Sequence, residues 1–92
     1  MTKEIELRIK EEHQRLADLR GLDSTYCPSE VARNLFHEDW RDQMDNVRIV
    51  ADQMIENELL VEMQKGNVIN ELATTAKGPI RLRRFDGSKD QR

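Results

Sequence analysis

The sequence predicts an α+β fold of the winged helix-turn-helix type, with three helices and a small antiparallel sheet of two or three strands. Apolar residues recur at helical spacing through "KEIELRIKEEHQRLADLR", "PSEVARNL" and the stretch from Trp40 to Met54, whereas "LLVEMQ" and "PIRLRRF" alternate with the period of strands. The order is helix, short strand, helix, helix, strand, long connection, strand, and a short turn joins the second and third helices, as in a winged helix.

At 92 residues the chain supports one core, expected over residues 1–85, with "DGSKDQR" at 86–92 as a disordered tail. With 37% apolar and 36% charged residues the core is thin and its shell heavily charged, so dimerisation would be a natural supplement. The start, "MTKEIELRIK", has no apolar run like that of a secretory leader, and no segment approaches the roughly 18 to 20 apolar residues that span a bilayer. Cys27 is the single cysteine, which excludes an intrachain disulfide and fits a reduced, cytoplasmic setting.

The first helix is expected from about Lys3 to Arg20. Ile5, Ile9, Glu12, Leu16 and Leu19 follow a spacing of four and three, and Gly21 is a natural stop. "GLDSTYC" breaks the helix, and Thr25 and Tyr26 favour a short extended piece. Pro28 suits a first helical turn, where its missing N–H costs nothing, and Glu30 suits the positive helix start; the second helix therefore runs from Pro28 to Leu35 and buries Val31, Ala32 and Leu35.

Trp40, Met44, Val47, Ala51 and Met54 give the third helix its apolar stripe, ending near Asn57. Asp39 is a candidate N-cap, with Glu38 or Asp45 as alternative starts if Trp40 to Met44 forms its own turn. Leu59 to Gln64 reads as a strand, Lys65 and Gly66 as a tight turn, and "NVIN" as a brief return. "ELATTAK" reads as a loop or one helical turn. In "GPIRLRRF", Ile80 and Leu82 alternate with Arg81 and Arg83, the pattern of a half-buried strand with arginines outward.

"CPSEVAR" at Cys27 to Arg33, "WRDQM" at Trp40 to Met44, "VR" at Val47 and Arg48, "QKG" at Gln64 to Gly66 and "KGPIRLR" at Lys77 to Arg83 together resemble a small bacterial family known only as a domain of unknown function. The resemblance implies a winged-helix-like fold in a bacterial cytoplasmic protein. It carries no activity, cofactor or functional residue.

Charge is unevenly spread. Up to Glu62 there are 8 Lys/Arg against 15 Asp/Glu, and from Lys65 onward 7 against 3, so a polyanion would meet the C-terminal third first. In a winged helix that binds double-stranded DNA, the third helix enters the major groove and the hairpin touches the backbone. The candidate contacts are Arg41 and Arg48 on the third helix and Lys65, Lys77, Arg81, Arg83 and Arg84 on the wing and last strand. Against this, Glu38 to Glu58 holds seven acids, which phosphates repel, and Asp45 and Asp52 offer Arg41 and Arg48 intrahelical partners.

Two function classes follow: a DNA-binding or transcription-regulatory protein, or a protein-interaction or dimerisation module using the acidic third helix or the spare leucines Leu7, Leu19 and Leu22. No phosphate-cradling glycine loop or nucleophile–base pair is legible, so no catalytic residue and no cofactor is expected. His13, His37 and Cys27 share no ligand spacing, so no metal is expected either. Cys27 is expected to pack at a helix entrance, not to react.

Overall fold

The computed structural model describes residues 1–76 and 78–87. Its helical elements are α1 (Lys3–Arg20), α2 (Pro28–Phe36), a 3-10 segment (His37–Gln43) and α3 (Met44–Glu56). Its strands are β1 (Leu60–Gln64), β2 (Asn67–Ile69) and β3 (Arg81–Arg84), forming an antiparallel sheet in the order β2-β1-β3. The fold is thus α+β with a three-stranded sheet. Lys77 and most of the expected tail lie outside the described residues.

α1 begins where the Thr2 hydroxyl accepts the Ile5 N–H at 3.1 Å, and ends where Gly21, at φ 67°, returns its N–H to the Ala17 carbonyl at 2.9 Å. Its buried residues are Ile9, His13, Leu16 and Ala17. Leu19, expected on that stripe, is 69% exposed. A stripe spaced at 3.5 residues drifts off a straight 3.6-residue helix, so Leu19 lies roughly a quarter-turn from the buried line through Ile9, His13 and Leu16.

Tyr26 supplies the expected extended piece as a single bridge. Its N–H donates to the Leu82 carbonyl at 2.9 Å and its carbonyl accepts the Leu82 N–H at 2.8 Å, which extends the sheet beyond β3 by one residue pair. α2 then starts with Pro28 in its first turn, and the Glu30 carboxylate accepts the Cys27 N–H at 2.8 Å. Leu35 is only half-buried, packed against the edge of the core beside Phe36.

The stretch expected to open the third helix is instead the 3-10 segment, and α3 proper begins at Met44, one residue before the alternative start at Asp45. Trp40 and Met44 therefore pack against the core's flank, while Val47, Val50, Ala51 and Met54 enter it. They meet Ile9, Leu16, Tyr26, Val31, Leu60 and Leu82. Fully burying each aliphatic side chain contributes about 1.5–3 kcal/mol. β1 and β2 are joined by Lys65 and Gly66 at φ 52° and 83°, the two positive values that a two-residue hairpin turn of the I′ kind requires. The connection from β2 to β3 contains one helical turn, with the Thr75 and Ala76 N–H groups donating to the Leu72 carbonyl at 3.1 and 3.0 Å.

Candidate functional site

Most of the basic residues singled out in the sequence are bound to their own chain. Arg81 lies exposed on β3, its Nε donating to Thr25 Oγ1 at 2.9 Å and a second nitrogen to the Thr25 carbonyl at 3.1 Å. The same carbonyl accepts from Arg20 at 3.0 Å, and Arg20 also pairs with Glu30 at 2.6 Å. The Arg20 hydrogen bond is the main reason that the Glu30 carboxyl sits below its usual range, against an opposing effect of burial. Arg83 pairs with Asp86 at 3.5 Å, and Arg84 faces Asp18 of α1 at 3.7 Å. Lys65 is exposed at the hairpin tip.

Arg41 stands on the 3-10 segment, with its guanidinium 4.6 Å from the centre of the Trp40 ring. Arg33 of α2 stacks on the same indole at 4.3 Å. A cation over an indole gains about 0.5–1 kcal/mol at an exposed site, and a flat guanidinium suits the ring face. This stack is what Arg41 makes, instead of the expected pairing with Asp45.

Arg48 was expected on the outer face of α3. It is half-buried, and its Nε is enclosed without a hydrogen-bond partner. Asp52, the intrahelical partner expected for Arg48, is buried and does not pair with it; its carboxylate accepts the Thr74 N–H at 3.3 Å and the Thr74 hydroxyl at 2.5 Å, tying the helical turn after β2 to α3. What remains outward on α3 is Asp45, Ile49, Gln53 and Glu56.

Glu62 of β1 is one of two residues that sequence reasoning missed. It pairs with Ile69 on one side and Leu82 on the other, and shares the core-directed face of the strand with buried Leu60. The residue is 1% exposed, and neither carboxylate oxygen has a hydrogen-bond partner. Burial is the main force raising its pKa to about 7; Asp52 and Glu71 add to the rise, and Arg48 opposes it. The period of two in a strand puts Glu62 on one face with Leu60, and only the tertiary pairing with β3 shows that this is the covered face.

Beside Glu62 a pocket of about 240 Å³ opens to solvent between the end of α3, the β1–β2 hairpin and the segment after β2. Its apolar wall includes Ile55, Leu60, Leu72 and Phe85, and its acidic wall Glu56, Glu58, Glu62 and Glu71. Among the described residues no group of three or more His, Cys, Asp or Glu could hold a metal ion, and no helix is long and apolar enough to cross a membrane.

His13 is the second missed residue. Completely buried, it lies 2.8 Å by Nδ1 from the Tyr26 hydroxyl and 3.0 Å by Nε2 from the Val47 carbonyl. A carbonyl only accepts, so Nε2 carries the proton and Nδ1 accepts from Tyr26. Burial pushes the His13 pKa down to about 4, and burial also raises that of Tyr26, so both stay neutral at pH 7. The spacing of four from Ile9 was the available signal. Cys27 sits half-buried at the start of α2, its sulfur accepting from the Ser29 hydroxyl at 3.1 Å.

With this geometry in place, residues 6–85 match the family model described as a protein of unknown function, DUF3253. The chain belongs to this family. The matched span runs from α1 to the residue after β3 and so takes in the His13 bridge, the Glu62 pocket and the described basic candidates, for this DUF3253 member as read from its own residues. No curated protein matches the chain.

Proposed function

We propose that this DUF3253 domain is a winged-helix-type protein-interaction module without catalytic activity, acting in the bacterial cytoplasm and using the acidic outer face of α3. The element order supports the winged-helix reading: α2 and α3 follow the Tyr26 bridge, and the β1–β2 hairpin with β3 stands where a wing would. One observation carries the interaction reading. In a winged helix the third helix presents its outer face to the partner, and here that face bears Asp45, Ile49, Gln53 and Glu56 and no base. Phosphates are repelled by such a surface, whereas a basic protein segment complements it.

The second reading, double-stranded DNA, draws on Arg41 and Arg33 around Trp40 and on Lys65 at the hairpin tip, and on Arg81, which is exposed but would have to give up its two hydrogen bonds to Thr25. Arg48, Arg83 and Arg84 give it less support, because each is turned inward or engaged by its own chain. Lys77 belongs to the same reading.

Fluorescence anisotropy with a labelled duplex at about 50 mM salt, taken to about 100 μM protein, separates the two, since nonspecific binders reach that range. The interaction reading expects no binding. Binding that falls steeply with salt, and is lost when Arg81 and Arg83 are replaced by Glu, overturns it. In the positive arm, a partner captured by the wild-type chain and lost by Asp45→Lys with Glu56→Lys supports it.

A further inference from the structure

The pocket beside Glu62 joins two features found together nowhere else among the described residues: an open apolar cavity and a buried carboxyl group without a hydrogen bond. A carboxylate held away from water is costly unless a charge or a set of donors meets it. Arg48 lies close enough to attract Glu62 but not close enough to bond it. Among the described residues, the other charges that act on Glu62, Asp52 from α3 and Glu71 from the segment after β2, are acidic.

We propose that this pocket binds an aliphatic primary ammonium group, with Glu62 as its counter-ion. Ile55, Leu72 and Phe85 provide walls for an alkyl stem, and Glu56 and Glu71 add negative charge beside it. The volume of about 240 Å³ is below the roughly 300–1,000 Å³ of pockets for drug-sized ligands, so the occupant is a short chain. Anions are excluded by the carboxylates. A neutral alcohol would fill the cavity but leave Glu62 without a charge partner. Both Glu62 oxygens are enclosed without a donor, so the bound state requires the carboxyl to turn into the cavity, where the three N–H donors of an ammonium would meet it. The ammonium source is either a free amine or a lysine side chain.

The proposal does not rest on the interaction reading above. Its test is a two-dimensional amide NMR titration of the whole chain at pH 8, where Glu62 is mainly ionised, with hexylammonium, hexan-1-ol, hexanoate and Nα-acetyl-lysine methylamide. Saturable shifts at Ile55, Leu72 and Phe85 are expected with hexylammonium, at least tenfold weaker binding with hexanol, and none with hexanoate. Glu62→Gln weakens hexylammonium binding at least tenfold while keeping a dispersed spectrum, and Glu71→Gln weakens it about threefold. The lysine derivative tells which source fits. Hexanol binding as tightly as hexylammonium, unchanged affinity in Glu62→Gln, or no shift with either amine overturns the proposal.

Discussion

Replacing Glu62 by Gln removes a charge that the fold encloses, and the effect on stability depends on pH in a way that can be worked out. The folded carboxyl has a pKa raised to about 7 from the usual 4.5, mainly by burial. The folded state therefore holds the proton more tightly than the unfolded chain. Its contribution is complete below about pH 4.5 and is lost as pH rises through 7. At 1.36 kcal/mol per pH unit, the shift corresponds to about 3 kcal/mol by pH 8. His13 acts in the opposite sense. Its folded pKa is lowered from 6.5 to about 4, so its contribution is complete above pH 6.5 and is lost as pH falls through 4. Between about pH 4.5 and 6.5 the two slopes nearly cancel, and the wild-type chain should show a flat stability profile there.

Urea unfolding at pH 5, 6, 7 and 8 tests this, with linear extrapolation at each pH. Glu62→Gln should match the wild type to within about 1 kcal/mol at pH 5 and exceed it by about 2–3 kcal/mol at pH 8. For a domain of this size that gain raises Tm by about 10–20 °C. The variant's stability should also climb from pH 5 to 6.5, because the His13 slope is no longer masked. A constant difference between the two proteins across this range would refute the reasoning, since it would mean that Glu62 titrates alike in the folded and unfolded chains.

His13→Ala should cost about 3–5 kcal/mol by urea unfolding at pH 7, because it opens a cavity and leaves the Val47 carbonyl and Tyr26 hydroxyl without their partner. Asp52→Ala should cost about 1–3 kcal/mol and speed amide hydrogen exchange at Thr74 to Ala76, because the helical turn after β2 loses its tie to α3. Lys65→Asn should stabilise the chain by about 0.5–1 kcal/mol, because Asn tolerates the left-handed backbone that Lys65 adopts at φ 52°.

Local signals made much of the chain legible. Gly21 ended α1, Pro28 with Glu30 started α2, and Lys65–Gly66 turned the hairpin, each because a backbone constraint acts within a few residues. The start of α3 was ambiguous in the sequence, since Trp40 continues the helical stripe even though its backbone is 3-10. The candidate sites were less legible. Arg41, Arg81, Arg83 and Arg84 were found as bases, but whether each was available depended on Trp40, Thr25, Asp86 and Asp18, of which only Trp40 and Asp86 are sequence neighbours of their base.

The sequence by itself determined the α+β class, the element order and the charge asymmetry, because periodicity, turn chemistry and composition are local properties of the chain. Tertiary structure alone decided which polar side chains went inside. His13 and Glu62 each sit in an ordinary helical or strand pattern, and only the packing of α1 on Tyr26 and α3, and of β1 between β2 and β3, took them out of water. Burial is a property of what lies opposite, and what lies opposite is distant in sequence.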